Sequence, residues 1–278
     1  MDEGEVLILI VSCVFTVIFV VQWYGTIYSN SAFSKPNKIT RCLLSVVPPA
    51  AFLMIFFTLK EWAAFDVVGD GIYIVLYIFG GFASISLIMK LMFKFFDLSW
   101  KEDAIFLDNK AAAIAIVSGF FGATIIYCGA NIGDGPGWLC VVFAGALGFI
   151  GWFMLGKIIL LVTSVSERIT VERNVSSSIR FCGYMLANAI VLGRASGGDW
   201  HSVTDTIKEF EVGWPALVLT GAAIIIELIY ENKDKNDQKQ FRRNTLNKRS
   251  SSWADSIFIG ALFIGVAVYI VTLLPSII

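Results

Sequence analysis

Long apolar stretches alternate with short polar ones along the whole chain. Eight of them approach the roughly 20 residues needed to cross a bilayer: 5–28, 42–59, 71–95, 111–132, 138–163, 175–197, 213–230 and 254–275. The second contains Pro48-Pro49. Proline has no amide hydrogen and clashes with the preceding turn, so this span is expected to kink or to start late. Membrane helices tolerate such breaks when neighbouring groups satisfy the freed carbonyls.

Lysine and arginine in the connections set the expected orientation. One side collects Lys35, Lys38, Arg41, Lys101, Lys110, Arg168 and Arg173, then Lys233, Lys235, Lys239, Arg242, Arg243, Lys248 and Arg249. The other side carries only Lys60 and Lys208. With eight spans the bias alternates without a violation, which places both termini outside and the basic connections in the cytoplasm. The acidic start, "MDEGE", lacks the positive charge of a cleaved signal, so the first apolar run is expected to be a retained span.

A repeat runs through this pattern. A shift of 64 residues pairs Asp108 with Glu172, Gly119 with Gly183, Ala123 with Ala187, Ile126 with Ile190, Gly129 with Gly193 and Gly133 with Gly197. After a longer second loop, Gly137-Trp138 meets Gly213-Trp214 and Gly145-Ala146 meets Gly221-Ala222. A fainter copy precedes them at 42–95. The expected fold is therefore an all-α polytopic membrane protein of about eight transmembrane helices, built partly from repeated parallel helical hairpins. Its segments are 1–104, hairpins at 105–168 and 169–230, a basic cytoplasmic loop at 231–252, and a last span in 253–278. Two spans per unit insert each copy the same way round, unlike the inverted repeats of many transporters. The shared glycines read as packing faces, because lipid gives helices no hydrophobic reason to associate and close backbone contact must supply it.

Composition agrees: 57% of residues are hydrophobic and 15% charged, where soluble domains hold about 25% charged residues. Net charge is −1, so nothing points to nucleic acid. The lipid bilayer is the expected partner, and a homo-oligomer stays open. The segment "ENKDKNDQKQFRRNTLNKRSS" suits an anionic lipid or an acidic cytosolic protein. The five cysteines have no metal-ligand spacing; Cys128 and Cys140 flank one external turn, and their pairing is left open. His201 has no companion ligands, and no cofactor is expected.

Candidate chemistry lies in ionisable residues inside spans, which are expensive there and usually face the protein interior. Arg180 lies about 9 Å from its span's cytoplasmic end at 1.5 Å per residue, Lys157 is at similar depth, and Glu227 is near the end of its span. An Arg180–Glu227 pair is expected, with Lys157 nearby; headgroup snorkelling and an ion path are the alternatives. Asn188, near mid-span, is either interhelical glue or part of a polar path. Glu172 and Asn174 are placed to cap a helix start. No catalytic constellation is visible, so enzyme activity is not expected.

The acidic residue before a span that opens "ERNVSSSIRFCG" and runs to "GRASGG", preceded by a second hairpin copy, resembles the YjfL-like bacterial inner-membrane proteins (domain of unknown function 350). The resemblance covers roughly 105–230 and is best at Asn174, Gly183, Ala187 and Gly193. Lys110 stands where the pattern has asparagine in the first copy. The family implies a bacterial inner membrane and no assigned activity. Its frequent genetic company of envelope-stress proteins and ATP-grasp ligases implies a scaffold or sensor working with partners; a channel or transporter past Arg180, Asn188 and Glu227 is the alternative.

Overall fold

A computed structural model describes residues 1–29, 37–134, 137–198, 202–241 and 253–274. Among these, eight helices are long and apolar enough to cross a membrane. Seven of them are α1 (Glu3–Ile27), α2 (Lys38–Glu61), α4 (Gly71–Phe96), α5 (Lys110–Ala130), α6 (Trp138–Val162), α8 (Val175–Ala195) and α11 (Trp253–Leu273); the other is the helical run Val203–Asp234, which passes through a 3-10 turn at Glu211–Gly213 into α10 (Pro215–Phe241). Short α3 (Phe65–Gly69), α7 (Val165–Thr170) and α9 (Val203–Phe210) lie in the connections, with a π-helical turn at Trp100–Phe106. The protein is a multi-pass, all-α membrane protein.

Small side chains decide what sits at the centre. The spanning windows of α5 and α8 are 78% and 72% buried, against 17% for α1 and 22% for α11. A Cβ on Gly129 would run into the Gly193 carbonyl, and one on Gly183 would run into the backbone of Gly260. Backbones touch at these points, so α5–α8 and α8–α11 are the tightest helix pairs. Neither is the within-hairpin pair suggested by the sequence repeat.

The ends of α5 and α8 correspond at a spacing one residue longer than the sequence shift of 64. Helices α5 and α8 are both 21 residues long, with Asn109 and Asn174 as N-caps and Asn131 and Ser196 as C-caps. Asp108 and Arg173, just before the caps, are both left-handed, at φ 47° and 53°. All these pairs are 65 positions apart, not 64. Asn109, and not Lys110, therefore answers Asn174. Of the glycines matched at 64, Gly119 lies against Met92 and Gly183 against Gly260, whereas Gly129 and Gly193 meet each other.

Helix α2 does not start late. It runs unbroken from Lys38 with Pro48 and Pro49 inside it. The prolines leave the carbonyls four residues back, on Leu44 and Ser45, without their helical donors. Helix α1 supplies replacements: Trp23 Nε1 donates to Leu44 O at 3.0 Å and Tyr24 OH to Ser45 O at 2.9 Å. The expected 213–230 span is also too short. Helix α10 continues without a break through Phe241, so the first part of the expected 231–252 loop is helical. Residues 242–252, with Arg242, Arg243, Lys248 and Arg249, lie outside the described residues, as does His201. Cys128 and Cys140 are both free thiols.

Candidate functional site

Three polar residues of α8 fall on one stripe. Arg180, Tyr184 and Asn188 are four residues apart, so they share a helix face. The structural register sets them against Ala115, Gly119 and Ala123 in α5, so this polarity belongs to α8 alone. Helix α10 faces the stripe with Thr220 and Glu227.

At its basic-segment end the stripe closes in an ion pair. Arg180 Nε donates to Glu227 Oε1 at 2.6 Å and Nη2 donates to Oε2 at 2.8 Å. This two-point fork is the strong geometry for guanidinium and carboxylate. Nη1 donates to Ser256 Oγ of α11 at 3.0 Å, and Nη2 also reaches Ser177 Oγ at 3.3 Å. The Tyr230 ring covers the guanidinium face, 4.1 Å from Cζ to the ring centroid. One side chain thus ties α8, α10 and α11 together. Arg180 and Glu227 are only 1% and 2% exposed, which is inconsistent with snorkelling.

A second arginine joins them. Arg168 of α7 is buried, pairs with Asp234, and places Nη1 3.9 Å from Glu227 Oε2. Glu231 Oε1 accepts the Ser164 amide at 2.6 Å. Glu227, Glu231 and Asp234 are spaced by four and three, so one face of α10 meets α7 and α8 over about 10 Å of helix. The sequence gives Arg168 no distinction from other basic connection residues. The available signal is the acid spacing at 227, 231 and 234, which gains meaning only if α10 extends beyond the apolar run.

Lys157 is not part of this network. Its Nζ donates to Phe95 O at 2.8 Å, satisfying one of the carbonyls left open at the end of α4. The expected depth is similar to that of Arg180, but Lys157 projects from α6 toward α4. Asn188 is fully buried, and its Nδ2 lies 3.4 Å from Thr220 Oγ1, while its Oδ1 has no partner. Tyr184 OH lies 3.0 Å from Leu155 O and 3.1 Å from Thr220 Oγ1. Arg180, Asn188 and Glu227 are thus each buried within the bundle.

The caps separate in the same way. Asn174 Oδ1 accepts the Ser177 amide at 3.1 Å. Glu172 does not cap: the left-handed Arg173 turns the chain between them, leaving the Glu172 carboxylate 3.9 Å from Arg168 Nε and half exposed. The sequence reading misses Asn109. It is buried, its Oδ1 accepts from Ala111 and Ala112 amides at 3.0 and 3.2 Å, and its Nδ2 donates to Ile169 and Thr170 carbonyls at 2.8 and 3.2 Å. One side chain thus closes the start of α5 and the end of α7. The signal was "DN" at 108–109 against "RN" at 173–174.

Among the described residues, no three His, Cys, Asp or Glu side chains are grouped to hold a metal ion. Comparison with protein-family models, with characterised proteins and with solved structures finds no match.

Proposed function

We propose that this chain is a non-catalytic membrane component that fixes where α10 leaves its bundle, ahead of a basic stretch of sequence, and works through partner proteins, as a scaffold or sensor. The carrying observation is α10 leaving the apolar region as unbroken helix, tied down by Glu227, Glu231 and Asp234. A buried ion pair contributes little net stability over an apolar replacement, but it strongly disfavours misregistered packing that leaves either charge alone. Its use here is to fix where α10 emerges. Lys233, Lys235 and Lys239, followed by Arg242, Arg243, Lys248 and Arg249, then present positive charge to an acidic protein or anionic headgroups, at about 1 kcal/mol per residue near a charged surface. The charge bias supports cytoplasmic placement of this segment, with both termini outside. The bacterial inner-membrane and envelope-stress setting rests on the resemblance over 105–230.

The test is co-purification from native membranes with Arg242, Arg243, Lys248 and Arg249 all changed to Glu. An acidic protein or anionic lipid retained by the natural chain should be lost from the variant. Equal recovery would sink the docking role.

One observation favours a second reading, a channel or transporter: Asn188 Oδ1 is buried mid-span with no partner, close to Thr220 and Tyr184. On this reading the α8–α10 contact opens to pass an ion or small solute beside Glu227. Proteoliposome flux that is lost in Glu227→Gln would favour it; the absence of flux would exclude it.

A further inference from the structure

Between α8 and α10, at the end away from the basic segments, the eight-residue helix α9 has the sequence VTDTIKEF. Ser202 starts it, accepting the Asp205 amide on Oγ at 3.2 Å. Val203, Ile207 and Phe210 are spaced by four and three, so they share a face, and Thr204, Asp205, Lys208 and Glu209 occupy the rest. That apolar face is divided. Thr206 is buried and Phe210 half-buried toward α8 and α6, with its ring near Gly151. Val203 and Ile207, on the adjoining flank, remain 63% and 48% exposed.

The exposed flank continues into the next span. Trp214 follows at 63% exposure, then Leu217 at 61% and Val218 at 59%, in the first turn of α10. Leu217 and Val218 open a membrane-crossing helix, so their outward side faces acyl chains. An apolar strip continuous with them lies where the chains meet the headgroups, and tryptophan at the junction fits that depth.

We propose that α9 is an interfacial helix, with the Val203–Ile207 flank buried at the headgroup–acyl boundary of the bilayer and Asp205, Lys208 and Glu209 in water. The polar side carries no excess of base: Asp205, Glu209 and Glu211 stand against Lys208 and against Arg194 of α8, whose charge acts on Glu209. Binding therefore rests on apolar burial and not on attraction to anionic lipid. Neutral phosphatidylcholine is sufficient, and salt has no effect.

The experiment uses the full chain in phosphatidylcholine vesicles, with a photoactivatable acyl-chain diazirine as the lipid-side label and hydroxyl radicals as the water-side label. Ile207 is expected to take the lipid label to the same degree as Leu217 and to resist the radicals that modify Lys208, at low and high salt alike. In Ile207→Asp, labelling of α9 should fall while that of Leu217 stays, which separates undocking from misfolding. Radical modification of Ile207 at the Lys208 level would overturn the proposal. So would protection of Ile207 from both reagents, which would mean a protein cover, or loss of the lipid label in high salt.

Discussion

Arg180 and Glu227 meet through two charge-assisted hydrogen bonds, 2.6 and 2.8 Å long, inside the helix bundle. Removing one partner strands the other away from water. Arg180→Met is therefore expected to destabilise the protein by about 3–5 kcal/mol. Pairing it with Glu227→Leu should restore most of that loss, because the double variant leaves neither of these two charges buried alone, while Arg168 keeps Asp234 as its partner. Denaturation in mixed micelles measures both; a double variant as weak as the single would show that the charge pairing is not what matters.

A similar logic applies to the prolines of α2. Trp23→Phe removes the indole donor to Leu44 O and leaves a buried carbonyl open, at about 1–3 kcal/mol. Pro48→Ala restores a backbone amide to that carbonyl. The Trp23→Phe penalty should shrink in the Pro48→Ala background, and thermal unfolding of the four proteins in this cycle checks it.

The two asparagine caps should not be equivalent. Asn174→Ala loses one cap, typically about 1 kcal/mol. Asn109→Ala loses a cap and also the donor to Ile169 and Thr170, so its melting temperature should fall further. Equal losses would argue that Asn109 does not bridge α5 and α7.

Glycine substitutions test the central contact. Gly129→Ala forces a methyl group into the Gly193 backbone, whereas a Cβ at Gly221 meets nothing within 4 Å. The first should impair folding and recovery from membranes, and the second should leave both unchanged.

How much of this is legible in the sequence depends on what sets each feature. The spans are, because lipid demands about 20 apolar residues in a row, and so is the Arg180–Glu227 pairing, because two opposite charges at similar depth have few other partners. Lys157 misleads because depth does not specify direction: it projects toward the open end of α4. Arg168 is hidden because a buried arginine and a loop arginine look the same until α10 is known to extend to its acids. The expected shift of 64 differs from the 65 that separates the caps of α5 and α8 because glycines with unrelated contacts, Met92 for Gly119 and Gly260 for Gly183, weigh more in the sequence than the caps do. Helix α9 escapes because eight residues between spans read as a longer loop.

The claim that α7 holds the emerging α10 is tested most directly by hydrogen–deuterium exchange over residues 227–241 of the full chain in lipid, comparing the natural protein with Arg168→Met. Loss of the Arg168–Asp234 contact should speed exchange from Glu231 to Phe241, while α5 and α8 remain protected. Exchange in that stretch as slow as in the natural protein would contradict the claim.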